Sequence, residues 1–393
     1  MESAPLISIV MPCLNEERTV ACCVNEACAA LRGMPYGFEV VVADNGSTDN
    51  TRVVAEAAGA RVVAIQEPGY GSALMGGFRA ANGKYVLMGD ADMSYDFSDA
   101  PKFVTKIEEG FDMVVGNRFL GGISKGAMPF LHKYLGNPVL SFIGRLFFKA
   151  PVGDFHCGMR IFHREKLLSL CLDGTGMEFA SEMILRAALS GWRMTEVPTV
   201  LRPDGRDRRP HLRTWRDGWR HLKLLLLYCP LWLFFIPGAA MLLIGVVVML
   251  LLMGGPLHVG AAILDVHTLV YAAMLQIAGF QILSLGLFAR GYATSHGLIS
   301  ARAPLRKFPM EWGIVFGCAL LLCGIAGSVY ALTLWSQKNF VYLNPIESLR
   351  VVIPSSLAIT FGLQCVFMSF VIEVLRLKSS KQPADTRHLH PEA

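Results

Sequence analysis

The stretch Lys84-Tyr85-Val86-Leu87-Met88-Gly89-Asp90-Ala91-Asp92 decides how this chain is read. An aromatic, β-branched and aliphatic run ends in two carboxylates one residue apart, as a buried strand does when it delivers acids to the mouth of a sheet. In a strand, residues i and i+2 point the same way, so Asp90 and Asp92 can face one divalent cation. Mg²⁺ and Mn²⁺ take oxygen ligands and complete their shells with substrate phosphates. An isolated D-x-D more often closes a strand in a solvated turn, so the surrounding sequence has to settle the matter.

Outward from that strand, residues 6–200 alternate strand-like and helix-like segments. Strands are expected at Ile7–Met11, Phe38–Ala43, Arg61–Ile65, Tyr85–Met88, Met113–Val115, Arg160–Phe162 and Thr195–Val200. Helices are expected at Glu17–Leu31, Asp49–Ala58, Ser72–Ala81 and Ala100–Glu109. The alternation predicts a Rossmann-like α/β domain with a mostly parallel sheet covered on both faces. Ligands on such sheets gather at the carboxyl ends of the strands. Asn15-Glu16, Asp44-Asn45-Gly46-Ser47 and Asp90-Ala91-Asp92 all follow strands and should converge there. The loop Gln66-Glu67-Pro68-Gly69-Tyr70-Gly71-Ser72 opens a helix, and Gly71 suits close backbone approach to a diphosphate. It lacks G-K-[ST] and is no Walker loop.

Composition bounds the rest. The chain has 393 residues, 53% of them hydrophobic, and a net charge of +5, with a mean hydropathy of +0.43. The apolar excess follows Leu222 in four stretches long enough to span a bilayer, Trp232–Met253, Thr268–Phe288, Trp312–Trp335 and Val351–Leu375. They predict an all-α transmembrane domain of four helices. The connector 254–265 has no Lys or Arg, whereas 290–307 has four, so the loop, the tail and the N-terminal domain are expected in the cytoplasm of an inner-membrane protein. The N-terminal sequence is not that of a signal peptide. The ten cysteines show no metal or disulfide spacing and read as reduced thiols. Seven Lys/Arg lie between Arg206 and Lys223 without any nucleic-acid motif, which points to phosphate or anionic head groups. Leu212, Trp215, Trp219, Leu222 and Leu226 repeat at helical spacing beside Arg213, Arg216, Arg220 and Lys223, an amphipathic helix for the head-group layer. The expected division is 1–205 catalytic, 206–230 juxtamembrane, 231–378 transmembrane and 379–393 a disordered tail.

The order of motifs is recognisable. Ile9-Val10-Met11-Pro12-Cys13-Leu14-Asn15-Glu16, then Asp44-Asn45-Gly46-Ser47-Thr48-Asp49, then Asp90-Ala91-Asp92 resembles inverting family 2 glycosyltransferases of GT-A fold. Gly116-Asn117-Arg118 and Asp154-Phe155-His156-Cys157-Gly158-Met159-Arg160 resemble the polyprenyl-phosphate branch, which includes dolichyl-phosphate mannose and glucose synthases. The resemblance covers about residues 6–230. It implies that Pro12, Leu14 and Glu16 border the nucleoside, that Asp44 reads the base, and that Asp90 and Ala91 touch ribose and diphosphate. Asp92, helped by Asp90, would hold Mg or Mn. Several relatives carry Gln two residues after the second Asp, where this chain has Ser94, which puts a third protein ligand in doubt.

The implied reaction moves a hexose from a UDP- or GDP-sugar to a polyprenyl (undecaprenyl or dolichyl) phosphate. The cation neutralises the leaving diphosphate, and the ionised lipid phosphate attacks without a strong base. Arg118, Arg160, Arg202, Arg209 and Arg213 are candidates to hold that phosphate, while Asp154 is the candidate catalytic or acceptor-orienting carboxylate. Arg206, Arg208 and Arg216 read as solvated surface charges. Glu178 and Glu182 share a helix face and read as holding sugar hydroxyls or pairing with arginines. His132, Lys133 and Asn137 suggest a mobile lid. The bilayer is the expected partner, and a homo-oligomer through the spans is compatible with the sequence. Competing readings are a glycolipid synthase with a diacylglycerol acceptor and a transporter or scaffold with an inactive transferase domain. A processive polysaccharide synthase would carry Q-x-x-R-W, which this chain lacks.

Overall fold

The computed structural model describes residues 5–206, 214–295, 309–341 and 344–379. Arg208, Arg209, Leu212 and Arg213, most of the 290–307 loop and the expected tail lie outside these residues. The chain divides into two compact units, Met1–Tyr228 and Cys229–Ala393. In the first, β1 (Ile7–Cys13), α1 (Val20–Leu31), β2 (Phe38–Asp44), α2 (Thr51–Ala57), β3 (Arg61–Ala64), α3 (Tyr70–Ala80), β4 (Tyr85–Met88) and α4 (Ala100–Glu108) alternate. There follow β5 (Met113–Asn117), α5 (Arg118–Gly121), α6 (Asn137–Phe148), β6 (Arg160–His163), α7 (Arg164–Leu168), α8 (Phe179–Leu189), β7 (Met194–Pro198) and α9 (Thr214–Leu227).

The seven strands form one sheet in the order β3-β2-β1-β4-β6-β5-β7. It is mostly parallel, as expected; β6 alone runs antiparallel, between β4 and β5. Ile9 to Met11, Val40 to Ala43 and Tyr85 to Met88 are buried, because helices cover both faces and leave these strands no polar side. The carboxyl ends of β1, β2, β4 and β5 therefore share one edge. Reversing β6 aligns Arg160 with both Met88 and Val115, so the loop that precedes β6 reaches the same edge. The residues around His132, expected in a loop, are helical. His132–Gly136 is a π-helical turn leading directly into the twelve-residue α6, where Pro138 occupies the first turn and starts the helix.

The second unit holds α10 (Ile236–Met253), a short hairpin of β8 (Leu257–Val259) and β9 (Ala262–Leu264), α11 (Val266–Ser295), α12 (Met310–Ser336) and α13 (Pro345–Ser379). Four helical spans, Leu231–Met253, Val266–Tyr292, Met310–Ser336 and Pro345–Leu375, are long and apolar enough to cross a membrane. They contact through small residues. A Cβ at Gly317 would lie 2.8 Å from the Gly362 carbonyl oxygen, and one at Gly362 would lie 2.7 Å from that of Gly317. Close backbone approach of this kind replaces hydrophobic drive inside lipid. Beside the hairpin, Arg350 pairs with Asp265 at 2.6 Å.

Gly362→Val should wedge α12 from α13. Its expected cost is about 1–3 kcal/mol, read as a lower melting temperature of the full-length protein in detergent. Leu322→Val, on an exposed face, should leave the melting temperature unchanged. Equal melting of both variants would contradict the packing.

Candidate active site

β4 ends by placing two carboxylates at the shared edge. Asp90 is partly exposed, and its Oδ1 accepts the Tyr70 hydroxyl at 2.9 Å. Asp92 is buried, its Oδ1 accepting the Ser94 N–H at 3.0 Å while Oδ2 lies 3.2 Å from Arg206 Nη1. Arg206 also donates to Glu16 Oε1 from Nε at 2.8 Å and lies 2.6 Å from it through Nη2. Burial, then the charge of Asp92, pushes Asp90 up to about 6. Burial, then Asp92, also raises Asp204, with Glu16 adding to the effect. Glu16, Asp90, Asp92 and Asp204 therefore crowd one edge around Arg206. Beside them opens a cavity of about 180 Å³ lined by Asn15, Glu16, Thr19, Asp49, Gly205 and Arg206.

This donor set fits a hard divalent cation, because crowded carboxylates gain most from an added positive charge. Among the described residues no three His, Cys, Asp or Glu side chains converge as a ligand set. Asp90 and Asp92 would hold the ion, and diphosphate oxygens and water would complete its shell. Ser94 serves Asp92 through its backbone and sends no ligand. Pro12 and Leu14 stand half-buried at the end of β1, and Ala91 is buried between the two acids.

Across the edge, Arg118 begins α5 and forms a fork on Asp154, with Nε to Oδ2 at 2.7 Å and Nη2 to Oδ1 at 2.8 Å. Asn117 caps α5 by accepting the N–H groups of Phe119 and Leu120 at 2.9 and 3.0 Å. The 153–154 loop is fixed by Glu196 of β7, whose Oε1 accepts from Gly153 N at 2.6 Å and Asp154 N at 3.1 Å. The opposite oxygen of Glu196 takes the Asn117 amide at 3.0 Å. Tyr95 accepts the Gly158 N–H at 2.7 Å, which ties that loop to the residues just after Asp92.

Several expectations are corrected. Arg160 is 0% exposed and donates to the carbonyls of Cys157, Ala180 and Phe155, so it braces the loop and offers nothing to a lipid phosphate. Asp44 is 0% exposed; its carboxylate accepts Gly46 N, Ser47 N and Arg52 Nε, so it holds its own loop. Gly71 gives its N–H to the Thr175 carbonyl at 2.9 Å, and a Cβ there would sit 2.1 Å from the Gly174 oxygen. It is a packing glycine, not a diphosphate cradle. Arg202 is neutralised between Glu26 and Asp96. Arg206, expected on the surface, lies at the centre of the acidic cluster. Glu182 accepts Asp173 N and Gly174 N and lies 3.9 Å from Arg186, and Glu178 takes Gly176 N and lies 3.8 Å from Arg220, so of the two expected roles the pairing with arginines is the one present.

The sequence did not point to the contact between α9 and the catalytic loop. Asp217, His221 and Leu225, spaced i, i+4, i+8, form the buried face of α9, while Trp219, Arg220 and Lys223 face outward. That spacing was available as a signal but was masked by the stronger Trp and Arg pattern. Ser181 Oγ lies 2.8 Å from His221 Nδ1 and 3.4 Å from His156 Nε2, and the two rings meet edge-on at 4.6 Å. The backbone N–H of His156 donates to Asp154 Oδ1 at 3.2 Å. Burial pushes His221 down to about 4. Burial, then the positive neighbours His221, Arg118, Arg160 and His132, holds His156 well below its ordinary value.

Residues 8–170 match Glycosyl transferase family 2, and residues 287–376 match the glycosyltransferase family 2 C-terminal transmembrane region. The chain is 39% identical over 376 residues to the low-salt glycan biosynthesis hexosyltransferase Agl6 of Haloferax volcanii, covering 94% of this chain and 89% of that protein. It is 32% identical over 199 residues to a dolichyl-phosphate hexose transferase of the same organism, 50% of this chain and 82% of that one. Among solved structures, glucosyl-3-phosphoglycerate synthase from Mycobacterium tuberculosis in complex with Mn²⁺, UDP and phosphoglyceric acid aligns at 24% identity with a TM-score of 0.47. That alignment covers 57% of this chain and 78% of that one.

The imidazole pair generates a pH test. An unfolded histidine titrates near about 6.5, whereas folded His221 titrates at about 4. Between those values the unfolded chain binds the extra proton, so stability falls as pH is lowered through the window. The melting temperature of the full-length protein should drop from pH 7 to pH 5, and His221→Asn should flatten part of that drop. An identical slope in both proteins would remove the assignment.

Proposed function

The chain belongs to glycosyl transferase family 2 and carries that family's C-terminal transmembrane region; from that premise we propose that it moves a hexose from a nucleoside diphosphate to a polyprenyl phosphate at the cytoplasmic face of the cell membrane. The observation that carries the reading is the pairing of two anion sites on one sheet edge. Asp90 and Asp92 stand on one side, and Arg118, locked on Asp154, stands on the other.

On the donor side, Pro12, Leu14, Glu16 and Ala91 border the nucleoside, and Asp90 with Asp92 holds Mg²⁺ or Mn²⁺. That ion, when bound, supplies charge neutralisation at the departing diphosphate. On the acceptor side, Arg118 Nη1 binds the lipid phosphate, with His132 and His156 close enough to feel the Arg118 charge. Asp154 fixes the guanidinium plane and Glu196 fixes Asp154, so the nucleophile is oriented before reaction. A phosphate oxygen then bonds to the anomeric carbon from the face opposite the leaving group, the sugar–diphosphate bond breaks, and the anomer inverts.

A lipid acceptor also requires a surface that enters lipid. α6 and α9 pack together, and α6 with the turn before it exposes the stripe Leu135, Val139, Phe142 and Leu146. Phe130 beyond it is 77% exposed and Trp219 of α9 is 61% exposed. Lys125, Lys133, Arg145 and Lys149 flank the stripe in sequence. Apolar residues at this density, rimmed by cations, suit an anionic bilayer surface.

The test uses the full-length protein in anionic nanodiscs with Mn²⁺, a panel of UDP- and GDP-hexoses, and three acceptors. Transfer is expected to polyprenyl phosphate and not to polyprenol or diacylglycerol. Arg118→Gln should lower kcat/KM for the lipid phosphate by about 10²-fold or more while UDP or GDP binding persists. Phe130→Ser with Phe142→Ser should raise the KM for lipid and spare donor binding. Equal transfer to diacylglycerol would overturn the acceptor in favour of a glycolipid synthase.

A further inference from the structure

We propose that Arg206 is a resident counter-charge of the acidic cluster that makes the site take a divalent cation and a nucleoside diphosphate together, in preference to the cation alone. The inference rests on the reading of Asp90 and Asp92 as cation ligands.

The geometry is specific. Arg206 is held from three directions: Nε and Nη2 engage Glu16, Nη1 faces Asp92 Oδ2, and the neighbouring Gly205 N–H donates to the Asp92 carbonyl at 2.9 Å. Its side chain is largely enclosed. Both oxygens of Asp92 already have a partner, Oδ1 the Ser94 N–H and Oδ2 the guanidinium. A cation that binds Asp92 through a remaining lone pair therefore shares the carboxylate with the guanidinium. Two positive groups around one enclosed carboxylate repel strongly, since little water screens them.

A diphosphate reverses that sign. Its oxygens ligate the cation on one side and accept the planar guanidinium fork on the other, so both positive groups gain a shared anion. Each ligand then strengthens the other by the same factor, as linkage requires. The single positive charge of Arg206 also explains how Glu16, Asp92, Asp90 and Asp204 share one edge: burial and their mutual charge raise Asp90 and Asp204, and Arg206 opposes that rise at both. Departure of the nucleoside diphosphate would restore the repulsion and loosen the cation.

The experiment measures Mn²⁺ binding to the full-length protein in detergent by electron paramagnetic resonance, with and without UDP or GDP, and no sugar transfer is read. For the wild type, nucleotide should tighten Mn²⁺ binding by about tenfold or more. Arg206→Met should bind Mn²⁺ alone about tenfold tighter than wild type and lose most of the nucleotide-dependent gain, and Arg206→Lys should fall between them. Melting curves confirm folding, and Arg206→Gln carries the same expectation should the Met variant not fold. Unchanged or weaker binding of Mn²⁺ alone by the uncharged variants would overturn the role of Arg206 and leave the metal reading standing. Failure of the wild type to bind Mn²⁺ even with nucleotide would overturn the metal reading, and the proposal with it.

Discussion

Negative charge gathered at one edge of the sheet is the constraint to which the catalytic unit is built. Glu16 follows β1, Asp90 and Asp92 follow β4, and Asp204 arrives on the segment whose backbone is bonded to Ser94 and Asp92. Carboxylates brought out of water near one another are costly unless a cation answers them. Arg206 answers Glu16 and Asp92 directly, while Asp90 stays high at about 6. Parallel strands make the arrangement possible, because their carboxyl ends open on the same side and their buried apolar faces carry the energetic load elsewhere.

The opposite half of the edge depends on one reversed strand. β6 runs antiparallel between β4 and β5, so its N-terminal loop, 154–159, comes to the end where the parallel strands finish. Arg160 stabilises that entry by donating to the carbonyls of Cys157, Ala180 and Phe155. Asp154 then meets Arg118, and Glu196, from the strand paired with β5, locks both loops. A chain of contacts through His156, Ser181 and His221 continues from this point to α9. Shape at the acceptor side is therefore set by buried hydrogen bonds, each of which leaves an unpaired group if removed.

What the sequence disclosed follows the range of the interactions. The strand run before Asp90, the alternation of elements and the four apolar stretches are local patterns, and the sheet and the spans agree with them. Arg160 and Arg206 show the boundary. Both are arginines near motifs, and nothing local tells that one ends among carbonyls and the other among carboxylates 190 residues away in sequence. Glu196 is a strand residue whose importance lies in a loop 42 positions earlier. Gly71 looked like a phosphate loop because glycine before a helix suits both roles; the Gly174–Thr175 backbone, unpredictable from the local sequence, claimed the space. α6 went unread because Pro138 and two glycines nearby imitate a loop, though Leu135, Val139, Phe142 and Leu146 keep helical spacing.

The proposed acceptor bears on which groups would have to move a proton. A hydroxyl acceptor needs a base whose pKa lies near the working pH. Asp154 has both oxygens on Arg118. His156 and His221 are held well below neutrality by burial, His221 to about 4, which makes them weak bases facing Ser181. Around Arg118 the edge therefore offers a guanidinium beside weakly basic imidazoles, while the carboxyl raised toward neutrality, Asp90 at about 6, stands with Asp92 and Arg206. A phosphate monoester is an anion at neutral pH and needs only to be positioned against its own charge, which is the role proposed above for Arg118. On that proposal, the exposed apolar residues along α6 are the surface by which such a lipid would be met.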